Sequence, residues 1–429
     1  MPRAVRRVAV AGGGIGGLAA AAFLRRAGLE VSVFEQARAF EEIGAGLVVA
    51  PNMGRLLRRL GLHEGLAASG VRLEVGWEFR RWQNGEVLFG QCLDDSAEMY
   101  GEDTWVVHRA DLLALLRSAV EPTAVHLGAR AVGVDQDADG IRLHFADGNT
   151  VDADVVIAAD GIHSALRGVV TRPEPPRYSG VCAWRSLVPA EAAPDLARRP
   201  VQTLWLGPHR HLVHYPVSRG RLINLVAFTP AGDFDVESWE SRGRVEDLAA
   251  EFEGWDSRLL ALVAGAGEVG RWALLDRDPV DTWTAGRLAL LGDAAHPMFP
   301  FFAQGAGQAI EDAAALAVCL SDPGLPAPDA LARYEAVRGG RAARVQVASR
   351  GRRGHHHLPD GPEQRDRDAA FAADDPWHTT PGSTPTTPRR RHGSRSGRSR
   401  GRATAAGWHT RPPAWTNDAL TSTGPGGLA

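Results

Sequence analysis

The residues of this chain best suited to chemistry are glycines and carboxylates that stand directly after apolar runs. Gly12-Gly13-Gly14-Ile15-Gly16-Gly17 has the spacing G-x-G-x-x-G immediately after Val8-Ala9-Val10-Ala11. The first glycine of such a turn permits a tight bend, and the second lets the backbone approach a pyrophosphate. The third allows a helix to pack closely on a sheet, and N–H groups at the helix start receive the anion. Glu35 closes the next apolar run and is placed to accept hydrogen bonds from an adenosine ribose. Gly265-Ala266-Gly267-Glu268-Val269-Gly270 repeats the spacing, yet it follows a helix-like stretch and precedes a strand-like one, so it reads as a loop. The fingerprint alone specifies a dinucleotide.

Two further motifs narrow the ligand. Asp160-Gly161-Ile162-His163-Ser164-Ala165-Leu166-Arg167 has the form D-G-x-x-S-x-x-R after a buried-type run at 155–159. Gly292-Asp293-Ala294-Ala295-His296-Pro297 follows another at 287–291, and Pro300 and Gln304-Gly305-Ala306-Gly307 come next. A carboxylate just past a strand end can hold a ribityl hydroxyl. A helix N-terminus beside it can stabilise the negative charge that reduced flavin carries near N1 and O2. Elsewhere, His211-Leu212-Val213-His214-Tyr215-Pro216 offers titratable groups. On a strand His211, Val213 and Tyr215 share one face and His214 takes the other, so both histidines reach one ring only if the strand bends.

The elements that must position these residues follow from periodicity. Residues 5–11 and 29–34 read as strands around a helix at 15–27, a β-turn-α-β unit. Residues 110–120 read as a helix. Ile141, Leu143 and Phe145 alternate into an Asp147-Gly148 hairpin. Strand-like pieces at 181–187, 203–206, 212–217 and 222–228 predict a mainly antiparallel sheet, followed by helices at 244–252 and 257–263. A buried strand at 287–291 and a long helix at 303–320 return to the first pattern. The fold class is therefore α/β: a Rossmann-like cofactor domain (1–72, 101–177 and 272–378) interrupted by a β-rich substrate domain (73–100 and 178–271), with C-terminal helices and a disordered basic tail at 379–429.

Composition excludes other classes. Hydrophobic residues make up 44% and charged residues 23%, ordinary for a folded domain. A formal net charge of −3 gives no whole-chain reason to expect nucleic acid or an anionic membrane. All 48 basic residues are arginine, which excludes Schiff-base lysine chemistry. Cys92, Cys182 and Cys319 show no C-x-x-C spacing and suit a reducing cytoplasm. The glycines from Gly12 interrupt what would otherwise imitate a signal peptide. His355-His356-His357 reads as a solvated run rather than a metal site, because consecutive residues do not converge on one ion.

On its motifs the sequence resembles the single-component FAD-dependent aromatic hydroxylases, the group of salicylate, 3-hydroxybenzoate and 6-hydroxynicotinate hydroxylases. The likeness runs from about residue 7 to 377 and includes Gly44-Ala45-Gly46 with Pro51-Asn52, and His108-Arg109-Ala110-Asp111-Leu112. It implies that Gly12, Gly14, Ile15, Gly17 and Glu35 bind the ADP half of FAD, while Arg109 reaches the cofactor from a helix start. It implies equally that Asp293 holds the ribityl chain, that Gln304, Gly305, Ala306 and Gly307 meet the flavin ring, and that Asp160 serves both FAD and transient NADH or NADPH. A salt bridge to Asp111 or Asp103 is the plainer alternative for Arg109, and the resemblance favours the cofactor contact.

Family chemistry implies that NAD(P)H reduces FAD, and that O2 then gives a C4a-hydroperoxide which hydroxylates an electron-rich ring. The expected partner is a small phenolic or heteroaromatic acid, salicylate- or 3-hydroxybenzoate-like, bound by a monomer or homodimer. A base that removes a phenol proton would raise the ring's nucleophilicity. The 3-hydroxybenzoate enzymes carry a similar His-Leu-Val-His-Tyr-Pro stretch and favour His214. The 6-hydroxynicotinate enzymes align a histidine and a tyrosine with His211 and Tyr215. His214 is preferred here over a purely structural role, with Tyr215, His211 and Gln304 as the other substrate contacts. Trp184, Arg185 and Trp205 could line the pocket, although core packing suits both tryptophans better. Leu47-Val48-Val49 stands where the 6-hydroxynicotinate enzymes place a histidine, which argues against that substrate. A flavin-dependent halogenase is disfavoured by the lack of W-x-W-x-I-P and of lysine. A flavin-binding regulator or partner protein without turnover is the other alternative. After about residue 380 the chain departs from the family. Its Pro-, Gly-, Ser-, Thr- and Arg-rich end reads as a frameshifted terminus, which resequencing would test.

Overall fold

The computed structural model describes residues 5–40, 45–172, 174–232 and 242–373; Gly44, Trp377 and the tail from 379 lie outside the described residues. Strand Arg7–Ala11 is the centre of a six-stranded sheet. Glu30–Glu35 and Val125–Leu127 lie on one side of it, and Val155–Ala158, Leu288–Leu290 and Thr284–Ala285 on the other. All neighbours are parallel except the last pair. The central strands are short runs of buried Val, Ile and Ala, as both-sided burial of a parallel sheet requires. Helix Ile15–Arg26 packs against helix Gly305–Leu320 through small residues. A Cβ at Gly16 would lie 2.6 Å from Leu291 Cδ2 and 3.3 Å from Ala309 Cβ.

The second sheet has eight strands: Arg242–Gly243, Val269–Asp276, Arg177–Pro189, Leu222–Pro230, Arg210–Val217, Val201–Gly207, Val75–Arg81 and Val87–Cys92 in spatial order. It is antiparallel except where Val201–Gly207 meets Val75–Arg81. Helices Val245–Glu251 and Ser257–Ala264 cover one face over a core of Leu212, Leu225, Ala227, Trp205 and Trp184. The other face, with Val213, Tyr215, Val226 and Phe228, packs with Phe299 and Phe301 of the segment that enters helix Gly305–Leu320. That segment differs from the continuous helix expected from 303. A short 3-10 turn, Pro300–Phe302, ends at Ala303 in a left-handed conformation (φ 52°), and the helix starts two residues later.

Helix Ala327–His356 then runs from the first sheet to the second. Tyr334 Oη donates to the Leu290 carbonyl at 2.9 Å, and Ser349 Oγ donates to that of Phe299. Helix Pro362–Ala372 closes the described chain. Among the described residues no helix is long and apolar enough to cross a membrane.

Candidate active site

The glycine turn is held by its neighbours rather than by its own side chains. Gly12 sits at φ 107°, where a Cβ would lie 2.2 Å from the Ala159 carbonyl oxygen, and a Cβ on Gly17 would lie 1.9 Å from that of Gly12. Both positions face protein, so only glycine fits. Gly14 differs: a Cβ there would meet nothing within 4 Å, so the outer face of the turn is open to a ligand. Glu35 fixes the turn to the second strand, accepting from the Gly13 N–H at 2.6 Å and the Ala37 N–H at 2.9 Å. Each carboxylate oxygen keeps a further lone pair for another donor.

Asp160 and Asp293 end adjacent strands. Asp160 Oδ2 accepts the Ala165 N–H at 2.9 Å, while Oδ1 is buried without a hydrogen-bond partner. Burial raises the Asp160 pKa against the hydrogen bonds from Ser164 and the following backbone. Arg167, the last residue of that motif, ties it to the next: its guanidinium donates to the carbonyls of Ala294 and Ala295. Asp293 is ringed by protein, yet its side chain opens into the cleft. Burial pushes its pKa up, and His296 and Arg109 oppose the rise.

One cavity of about 390 Å³ joins these parts. Gly14, Ile15, Arg109 and Asp293 border it at one end, Gly305 and Ala306 present a helix start, and Arg185, His211 and Tyr215 form the wall on the eight-stranded sheet. First-turn N–H groups of a helix have no intrahelical acceptor. An open glycine turn, the Asp293 carboxylate and a helix start facing the same cavity make a donor and acceptor set that fits a dinucleotide carrying a flavin ring.

The wall owes its shape to register. Tyr215 pairs with Asn224, and Asn224 Oδ1 accepts the Gly46 N–H at 2.7 Å. A Cβ on Gly46 would lie 2.6 Å from Tyr215 Cε2, which explains a glycine in the Gly-Ala-Gly motif. Arg185 lies with its guanidinium 4.6 Å from the Trp272 ring centroid. Burial lowers its pKa to about 10, with Arg109 adding to the shift and Tyr215 opposing it, so it remains a cation at neutral pH. Burial also raises the Tyr215 pKa, which Arg185 partly offsets.

The sequence matches the family described as FAD binding domain over residues 6–349. It is 44% identical over 366 residues to 3-amino-4-hydroxybenzoate 2-monooxygenase PtmB3 of Streptomyces platensis, covering 85% of this chain and 92% of that one. The chain belongs to the FAD-dependent aromatic hydroxylases. It is also 40% identical over 351 residues to 6-hydroxynicotinate 3-monooxygenase of Pseudomonas fluorescens, covering 80% of this chain and 90% of that one. Among solved structures, Klebsiella pneumoniae HpxO complexed with FAD and uric acid superimposes with a TM-score of 0.78 at 29% identity, covering 86% of this chain and 93% of that one.

In this hydroxylase the residues singled out from sequence divide between the cavity and its supports. His211 and Tyr215 line the cavity, whereas His214 is turned to the other face of the sheet. There its Nε2 accepts from the Trp205 indole N–H at 3.1 Å, and burial, aided by Arg80, pushes its pKa down to about 3. The preference for His214 therefore does not suit its placement, because strand alternation gives the cavity face to its neighbours. Gln304 caps the helix and accepts from Asn52 Nδ2 at 3.0 Å; it borders an adjoining cavity of about 60 Å³ with Trp77 and Tyr100. Trp184 and Trp205 lie in the core of the far face, and Arg185 alone of that trio reaches the main cavity. His296 is buried and bonded to Asp312 at 2.6 Å. The solvated reading of the histidine run is corrected: His356 and His357 are buried, and His357 Nε2 lies 2.6 Å from His211 Nδ1. Sequence reasoning gave no role to Asn224, Arg167 or His357. Arg167 carried a signal, its fixed spacing from Asp160; the other two act through contacts distant in sequence.

Proposed function

We propose that this hydroxylase uses NADH or NADPH and O2 to hydroxylate a small phenolic or heteroaromatic carboxylic acid. The observation that carries this reading is the single cavity running from the glycine turn and Asp293 to a wall that sets Arg185, His211 and Tyr215 among apolar residues. Gly12, Gly14, Ile15, Gly17 and Glu35 would hold the ADP half of FAD, with Arg109 beside it and Asp160 serving FAD and the nicotinamide donor in turn. Asp293 would take the ribityl chain and Gly305, Ala306 and Gly307 the ring. The flavin, when bound, supplies the electron and oxygen transfer.

The chain's own residues bind and orient the substrate and exclude water. Arg185 is the cation on the substrate wall and suits a carboxylate, since guanidinium–carboxylate hydrogen bonds are the strong, directional kind. Tyr215 and His211 lie on the same face two pairs apart and suit a ring hydroxyl, His211 as the group that accepts its proton. The relatives named above act, by name, on 3-amino-4-hydroxybenzoate and 6-hydroxynicotinate; each ring carries a hydroxyl and a carboxylate. Aerobic NAD(P)H oxidation across a panel of such acids tests the reading. The expected result is oxidation stimulated by one of them, with Arg185→Met raising its KM about 10- to 100-fold, the worth of a charged hydrogen bond. A flavin that no panel member makes reducible, or an unchanged KM in Arg185→Met, would contradict it.

A further inference from the structure

His211 cannot act on the cavity alone, because one of its two ring nitrogens is already taken. Its Nδ1 lies 2.6 Å from His357 Nε2, and a contact of that length between two neutral imidazoles holds one proton. His211 is stacked on Phe228 with ring centroids 4.6 Å apart and meets Phe301 edge-on at 5.3 Å, so its ring plane is fixed. His357 ends helix Ala327–His356 and is fixed by main chain on both sides: its N–H donates to the Arg353 carbonyl at 3.1 Å, and its carbonyl accepts the His209 N–H at 3.0 Å. His211 is 1% exposed and His357 8%, so the pair leads from the cavity wall towards the surface.

We infer that His211 and His357 form a two-imidazole relay that carries the hydroxyl proton of a bound phenol from the cavity to solvent. The inference rests on the proposal that a phenolic acid occupies this cavity. In the receptive state His211 Nδ1–H donates to His357 Nε2, which leaves His211 Nε2 as the acceptor for the phenol. The phenol proton bonds to His211 Nε2, the His211 Nδ1 proton moves to His357 Nε2, and the His357 Nδ1 proton leaves to water. Each ring ends as the other neutral tautomer, one proton has crossed, and no electron has moved. A proton returning from solvent along the same path to the product phenolate resets the pair.

The surroundings favour passage over storage of the proton. His356 and Arg353 face the pair from the helix end, and His209 and Arg210 from the hairpin. Burial first lowers the proton affinity of both rings; His357 adds to this for His211, and Arg353, His209 and Arg210 add to it for His357, which is held at about 3. A resting imidazolium is disfavoured, so the tautomer shift is the low-cost route.

The test uses the FAD-loaded enzyme and 4-hydroxy-3-nitrobenzoate, whose phenolate absorbs visible light, in mildly acidic buffer where the free probe still carries its phenolic proton. Proton release on binding is followed by stopped flow with a pH indicator in weak buffer. The wild type is expected to release a proton as the phenolate band appears. His357→Gln can keep a hydrogen bond to His211 but cannot pass a proton, so release should slow by roughly tenfold or more with little change in probe affinity. His357→Ala should behave likewise, and added imidazole should restore its release rate. Release at the wild-type rate in His357→Gln, or no response of His357→Ala to imidazole, overturns the relay alone. A wild-type enzyme that binds no phenolic acid overturns both readings, since the relay then has no proton to carry. Flavin content and the unfolding midpoint of each variant separate these outcomes from misfolding.

Discussion

Gly46 has room for a hydrogen and nothing larger. The Cβ of an alanine there would lie 2.6 Å from the edge of the buried Tyr215 ring and 2.8 Å from Asn224, so the cavity wall must move. Gly46→Ala is expected to keep its FAD and to lose about 100-fold in kcat/KM, the scale of a misplacement near 1 Å; steady-state rates at matched flavin content check this. The face shared by His211, Val213 and Tyr215 was legible from the period of two in a strand. Which face looked to the cavity was not, because that depends on Asn224 pairing with Tyr215 and reaching Gly46, which is remote in sequence. The same limit hid His357. Three adjacent histidines look like a solvated run until a helix end and a strand are brought together.

The element that connects the cofactor site to the rest is the turn after strand Leu288–Leu290. Asp312, in helix Gly305–Leu320, accepts from the Gly292 N–H at 3.1 Å, contacts His296 Nε2 at 2.6 Å and accepts from Arg338 Nε at 2.7 Å. Burial pushes the Asp312 carboxyl upward, but His296 and Arg338 outweigh it and hold it at about 2. A carboxylate depressed on folding stabilises the fold fully above its ordinary value of about 3.9 and loses that contribution as pH falls through its folded value. Stability should therefore fall between about pH 4 and pH 2 more steeply in the wild type than in Asp312→Asn. At neutral pH Asp312→Asn should cost about 1.5–3 kcal/mol, because Arg338 and His296 lose a charged acceptor while Arg338 keeps Glu311 at 2.6 Å; urea unfolding measures both. The β-turn-α-β unit and the Asp-bearing turns were legible because apolar runs and glycines mark them directly. C-terminal helices were expected, but the 30-residue extent of Ala327–His356 was not legible, since its buried face beyond Tyr334 includes Arg338, Gln346, Ser349 and Arg352 and shows no apolar stripe.

At the scale of the whole molecule, a mostly parallel sheet supplies the glycine turn and a mostly antiparallel sheet supplies the wall proposed for the substrate, with a cavity of about 390 Å³ bordered by both. Helix Ala327–His356, about 45 Å long at 1.5 Å per residue, touches both: Tyr334 meets the first sheet at Leu290, and His357 meets the second at His211. The fold class was legible from the alternation of motif and pattern along the chain. The closeness of the two ends of the cavity was not, because it arises where two sheets built from interleaved stretches of the chain meet. On the proposed function, this cavity brings a flavin and an aromatic acid together for hydroxylation. Turnover under ¹⁸O2 with NAD(P)H and the acid that best stimulates oxidation, followed by mass spectrometry of the product, tests it most directly. The expected product is a ring carrying one new hydroxyl labelled with ¹⁸O, formed in proportion to NAD(P)H consumed. Oxidation of NAD(P)H that yields hydrogen peroxide and leaves every acid unlabelled would contradict it.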